Sequence, residues 1–83
     1  MARGDKTLAA MRVNPNGWRI ASLEAVAAAA GVNVRKPGGS HVVFEHPGVT
    51  EALSVPARRP IKPIYIRRFV RFIDTVRGAN EPE

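Results

Sequence analysis

The sequence predicts an α+β domain in which a helix, a three-stranded antiparallel sheet and a second helix follow a short N-terminal extension. Apolar residues recur at helical spacing from Leu23 to Ala30, and at a spacing of two from Val32 onward. Helical spacing returns after Pro63 and continues to Val76. The chain has 83 residues, which suffices for one small domain and makes a large enclosed active site improbable.

The extension, residues 1–21, is predicted to contain one short helix. Asp5 is expected to cap this helix, which then covers residues 6–13. Helical spacing places Leu8 and Met11 on one side of it. The residue pattern assigns no role to the extension.

The main domain is predicted to span residues 22–78, after a turn signal at residues 14–17. Ser22 is the expected N-cap of its first helix, and Gly31 stands where a left-handed residue is favoured after a helix. The alanines of this helix predict close packing against a sheet. Residues 79–83 are expected to form a polar, frayed tail.

Three strands are expected between the two helices, because apolar and polar residues alternate and turn residues interrupt the pattern. Gly38 and Gly39 predict the first turn, and the Pro-Gly pair at residues 47–48 predicts the second. Pro56 is expected to stop the last strand. The predicted strands are residues 32–35, 40–45 and 52–55.

The last helix is predicted to begin at Pro63, since proline is favoured at the first helical position, and to end before Gly78. Its apolar residues fall on one stripe, which predicts a face packed against the sheet. That stripe consists of Ile66, Phe69, Val70, Ile73 and Val76.

The charge balance indicates an anionic partner. Lys and Arg outnumber Asp and Glu by 13 to 7, which gives a formal charge of +6, and the partner is either nucleic acid or an acidic protein. A proline-stiffened connector, residues 58–63, and the helix that begins at its last residue carry many of these cations. The interpretation as a phosphate-binding patch competes with an ordinary solvated surface. The candidate patch is Arg58, Arg59, Lys62, Arg67, Arg68 and Arg71.

Several function classes fit poorly. The chain contains no cysteine, which excludes disulfides and thiolate metal sites. Two histidines and seven scattered carboxylates show no ligand spacing, so we expect neither a metal nor a small-molecule cofactor. No apolar run is long enough to span a membrane, and the N-terminus lacks a signal-peptide core. A cytoplasmic protein is expected.

The segment around His41 carries the most chemistry. Strand alternation puts Val42 and Phe44 on one face and His41 on the other, so His41 faces out if the first pair faces the helices. RNA cleavage by internal transfer needs a base for the 2′-OH proton and positive groups beside the phosphorane. His41 is the candidate base. The candidate phosphate-binding groups beside it are Arg35, Lys36 and the backbone of Gly38, Gly39 and Ser40.

Each of these residues also has an ordinary structural interpretation. His41 is otherwise a half-buried strand histidine with a backbone hydrogen bond, and the glycine pair a simple hairpin turn. His46 is expected to be a turn residue and Trp18 a core residue, whereas stacking on RNA bases is the alternative for Trp18 and Tyr65. The general acid of the reaction is not identified by the sequence.

Two segments in this order resemble the HicA family of toxin mRNA interferases. They are GGSHVVFEHP at residues 38–47 and LSVPARRPIKPIYIRRFV at residues 53–70, and the resemblance covers roughly residues 22–76. It implies a fold similar to double-stranded-RNA-binding domains and metal-independent cleavage of mRNA, with His41 as the catalytic histidine. It also implies a HicB-like antitoxin as protein partner.

The chain departs from the family pattern at two places. Many members have a second histidine directly after the first, where this chain has Val42, and their Gly-Trp pair precedes the first strand rather than the helix. A contribution from a paired histidine is therefore not expected. Two alternative functions follow from the residues: a noncatalytic RNA-binding module of the same fold, and a small basic protein-interaction domain.

Overall fold

The computed structural model describes residues 5–80 and the side chains of residues 5–78. Three helices and one antiparallel sheet of order β1-β2-β3 make up this part of the chain, which confirms the α+β class and the three-stranded sheet. The elements are α1 (Asp5–Val13), α2 (Ile20–Ala29), β1 (Asn33–Arg35), β2 (His41–Glu45), β3 (Leu53–Pro56) and α3 (Pro63–Asn80).

The core lies between one face of the sheet and the helices. Val42, Phe44 and Val55 point into it from the two longer strands, as the alternation predicts. The ring of Phe44 meets Phe69 of α3 edge to face, with 5.1 Å between ring centroids. All five residues of the predicted α3 stripe are buried, and so is Phe72. The opposite face of β2, which begins with His41, therefore lies outside the core.

Helix α1 belongs to the same core. Leu8 and Met11 are buried together with residues of α2 and α3. The Arg12 guanidinium donates two hydrogen bonds to the Asp74 carboxylate of α3, one of them at 2.8 Å. Because of the Arg12 hydrogen bonds, the pKa of Asp74 is lowered from its ordinary value and that of Arg12 is raised. The first and third helices are thus fastened by charge as well as by packing.

Three predicted helix boundaries are wrong: the start of α1, where Asp5 is helical rather than the N-cap, the start of α2 and the end of α3. Helix α2 begins at Ile20 after an extended Arg19, and Ser22 lies in its first turn, where its N–H donates to the Arg19 carbonyl at 3.0 Å. The packing of Ile20 against the core overrides the capping preference of Ser22. Gly31, with φ of +74°, ends the helix region as predicted.

Helix α3 starts at Pro63 as predicted but continues through Gly78 to Asn80. Arg77 donates a hydrogen bond to the Asp5 carboxylate, and Val76 is buried, so the last turns are held in place in spite of the glycine. Asp5 is itself the first helical residue of α1. Of the predicted polar tail, residues 81–83 lie outside the described residues.

The strands match the predicted segments to within one residue at each end. Pro56 is the last residue of β3, where its missing N–H is tolerated because β3 is an edge strand. Strand β1, on the other edge, is short and exposed along its whole length. Val34 is 37% exposed, whereas Val32, just before the strand, is buried.

Candidate nucleic-acid interface

The hairpin turn before β2 presents His41 to solvent. Gly38 and Gly39 have φ of +126° and +70°, values that L side chains rarely adopt, so this turn requires glycine. Val42 and Phe44 are buried, and His41 on the opposite face is exposed. No hydrogen bond joins the imidazole to another residue of the described range. The interpretation as a half-buried histidine is therefore wrong.

Two backbone hydrogen bonds place the basic connector beside this histidine. After β3, the N–H of Ala57 donates to the carbonyl of Ser40 at 2.6 Å, which extends the pairing past the strand end. Further along, the N–H of Ile61 donates to the carbonyl of Trp18 at 3.1 Å, and the Ile61 side chain is buried. These two hydrogen bonds anchor the connector, and Arg58 and Lys62 line a groove with the start of β2.

His41 lies in a groove of about 290 Å³ between the sheet and the beginning of α3. His41 and Pro56 are directly paired across β2 and β3, so both come from the outer face of the sheet. The other side consists of connector residues and the first turn of α3. We call this site the His41 groove; it is lined by Ser40, His41, Pro56, Arg58, Pro60, Lys62 and Tyr65.

The groove is cationic. Within the described part of the chain, Arg58 and Lys62 have no carboxylate within ion-pair distance, whereas the ion pairs found there involve other basic residues. The guanidinium of Arg68 lies over the ring of Tyr65, 5.8 Å from its centroid. Uncompensated cations beside an exposed imidazole form a site that attracts a phosphate group.

The structure separates Arg35 and Lys36 from this groove. Arg35 donates to the Glu45 carboxylate at 2.7 Å, near the other end of β2, and the ammonium of Lys36 lies 3.0 Å from Glu24 of α2. Both predicted phosphate contacts thus have carboxylate partners. Gly38 and Gly39 shape the turn without lining the groove, whereas Ser40 lines it.

The remaining basic residues lie further out. Arg68 and Arg71 line a second depression of about 210 Å³ between α3 and residues 49–53. Arg68 contacts the ring of Tyr65, so it connects this depression with the His41 groove. Arg59 and Arg67 are exposed and line neither.

Two ordinary interpretations agree with the structure. The Nδ1 atom of His46 accepts a hydrogen bond from the N–H of Gly48 at 2.9 Å, which confirms it as a turn residue. Trp18 packs against the core while its indole N–H donates to the Asn14 carbonyl at 2.6 Å, so it lies at the edge of the core. Neither residue lines the His41 groove.

The sequence did not place Pro56 and Pro60 in the site, and it offered Tyr65 only as an alternative base-stacking residue. Lys62 directly precedes α3 and Tyr65 lies in its first turn, so their spacing of three residues was a usable signal that they share one side. The position of Pro56 opposite His41 depends on the strand register, which a sequence pattern does not fix to the residue.

No family model, curated protein or solved structure matches this chain. Among the residues that the structure describes, no group of three or more histidine and carboxylate side chains is placed to hold a metal ion. None of the helices between residues 5 and 80 has the length and apolar character needed to cross a membrane.

Proposed function

We propose that this protein is a metal-independent endoribonuclease of the HicA toxin type that cleaves mRNA in the His41 groove. One observation carries the proposal: an exposed imidazole shares a groove with Arg58 and Lys62, and no carboxylate compensates these cations within the described residues. The order of elements in the sheet and the following helix supports a fold similar to double-stranded-RNA-binding domains.

In this mechanism His41 accepts the proton of a 2′-OH, and the resulting oxygen attacks the neighbouring phosphorus. Arg58 and Lys62 stabilise the charge that the phosphorane oxygens acquire. The RNA segment on the 3′ side of the scissile phosphate is released with a 5′-OH. The segment on the 5′ side ends in a 2′,3′-cyclic phosphate. Positioning and charge stabilisation in a shallow groove suffice for this chemistry, so the small size of the domain is no obstacle.

A HicB-like antitoxin is the proposed protein partner. An acidic face on such a protein would neutralise Arg58 and Lys62 and cover His41, which prevents RNA from entering the groove. The site of action proposed is the cytoplasm, where mRNA is translated. The proposed antitoxin is tested by asking whether the protein encoded in the adjacent reading frame inhibits cleavage.

The experiment that tests the activity is incubation of a long single-stranded RNA with purified protein in excess EDTA. We expect fragments with 2′,3′-cyclic phosphate ends from the wild type and a loss of about 10²- to 10⁴-fold in rate for His41→Ala. His41 is exposed, so this variant is expected to fold.

His46→Asn is the matched control, because an asparagine oxygen can accept the turn hydrogen bond that His46 now accepts. It should cleave at the wild-type rate. Equal cleavage by His41→Ala and wild type contradicts the proposal, and intact RNA that is nevertheless bound with strong salt dependence favours a noncatalytic RNA-binding module.

A further inference from the structure

The proposed reaction needs a second group that protonates the leaving 5′-oxygen. In an in-line displacement the attacking and leaving oxygens lie on opposite sides of the phosphorus. A base that accepts the 2′-OH proton from one side is therefore badly placed to serve as acid on the other side. Since His41 comes from the sheet, the acid is to be sought on the connector and α3 side of the groove.

Three side chains on that side carry N–H or O–H donors: Arg58, Lys62 and Tyr65. An arginine guanidinium does not give up its proton in proteins. Lys62 is exposed, and its four-carbon stem holds the ammonium loosely. These properties suit charge stabilisation rather than proton donation at one fixed atom.

Tyr65 differs from both. It is half-buried and packs against the core, so its ring has a fixed place at the start of α3. The Arg68 guanidinium over the ring, 5.8 Å from its centroid, helps to hold the ring in that place. Within the described residues, its hydroxyl has no hydrogen-bond partner in the protein.

We propose that Tyr65 is the general acid of the His41 groove, an assignment that rests on the proposed ribonuclease function. His41 removes the 2′-OH proton, the bond between the 2′-oxygen and phosphorus forms, and the bond between phosphorus and the 5′-oxygen breaks. The Tyr65 hydroxyl gives its proton to that 5′-oxygen. Afterwards the imidazolium loses a proton to water and the phenolate takes one from water, which restores the enzyme.

The test compares two short RNA substrates in EDTA, one ordinary and one with sulfur in place of the bridging 5′-oxygen. A thiolate leaves without protonation far more readily than an alkoxide, because thiols are much stronger acids than alcohols. Tyr65→Phe keeps the ring under Arg68 and removes only the acid. We expect it to cleave the oxygen substrate about 10²- to 10⁴-fold more slowly than the wild type, and the sulfur substrate at nearly the wild-type rate.

Two further variants make the result specific. His41→Ala lacks the base and should be slow on both substrates, and Lys62→Gln should be slowed by a similar factor on both. The assignment is overturned if Tyr65→Phe cleaves the oxygen substrate as fast as the wild type, or is equally slow on both substrates. It is also overturned if sulfur rescues Lys62→Gln instead.

Failure of the proposed function gives a different result. A wild type that cleaves neither substrate, while the variants bind RNA as it does, overturns the ribonuclease function and with it this assignment. A wild type that cleaves both substrates, combined with a Tyr65→Phe variant that shows no selective defect, overturns the role of Tyr65 alone.

Discussion

Basic residues lie around both ends of α3, but their charges are balanced differently at the two ends. At the C-terminal end, Arg12 is paired with Asp74, and Arg77 with Asp5. At the N-terminal end, within the described residues, Arg58 and Lys62 lie beside His41 without a carboxylate partner. A count of basic residues therefore does not locate a phosphate site. The pairing of each cation, which depends on the tertiary structure, separates cations that hold helices together from cations open to a ligand.

The difference between the two ends of α3 predicts that the contacts of α1 with the C-terminal part of α3 stabilise the fold. The largest effect on the free energy of unfolding is expected from the packing of α1. Leu8→Ala removes a buried side chain of α1 and should lower the free energy of unfolding by about 2–5 kcal/mol. Val13→Ala, on the same helix but 87% exposed, should change it by less than about 0.5 kcal/mol. Urea unfolding followed by circular dichroism measures both. A loss below about 0.5 kcal/mol for Leu8→Ala would show that α1 is dispensable for the core.

A smaller effect on the free energy of unfolding is expected from the turn that positions His41, near the His41 groove. Gly38→Ala forces a φ of +126° on an L side chain, and because no atom beyond the two neighbouring residues lies within 4 Å of the added Cβ, the cost is local backbone strain. We expect a loss of about 1–3 kcal/mol in unfolding free energy.

Gly78→Ala is the control for this substitution, since Gly78 lies in α3 with equal space around it. It should stabilise the protein by up to about 1 kcal/mol. A neutral Gly38→Ala would mean that the turn before His41 does not require its left-handed backbone.

The smallest effect concerns the ion pair between Arg12 and Asp74. The hydrogen bonds from Arg12 lower the pKa of Asp74 in the folded protein, so their stabilisation is present above the ordinary carboxyl value of about 3.9 and is lost as pH falls through the lowered value. The two side chains are 48% and 44% exposed, so Asp74→Asn should cost less than about 1 kcal/mol.

Urea unfolding of wild type and Asp74→Asn at about pH 7 and about pH 2 measures this contribution. The difference between the two proteins should shrink at the acid pH. A difference of the same size at both pH values would show that Asp74 acts through packing rather than charge.

Local sequence patterns predicted the sheet and the outward orientation of His41, because strand alternation and glycine turns are properties of neighbouring residues. The start of α2 was misplaced, since the packing of Ile20 outweighs the capping preference of Ser22. The extension of α3 past Gly78 was missed because it depends on Arg77 and a residue 72 positions away.

The candidate site was predictable in its centre and less so at its edges. His41 and the connector cations Arg58 and Lys62 were recognised from residue type and turn context, and the structure brings them into one groove. Arg35 and Lys36 do not line this groove, because each is paired with a carboxylate on another element, and such pairs are not recognisable from spacing alone.

The most direct test of the central claim is the salt dependence of binding to a 2′-O-methyl RNA, which lacks the nucleophile and is not cleaved. The double variant Arg58→Gln/Lys62→Gln should bind more weakly and lose about 1.4 from the slope of log affinity against log salt, or about 0.7 for each phosphate contact. Arg12→Gln/Arg77→Gln, measured where it is fully folded, should keep the wild-type slope. An unchanged slope in the Arg58→Gln/Lys62→Gln variant, or an equal decrease in both variants, would contradict the claim that the unpaired cations of the His41 groove bind RNA phosphates.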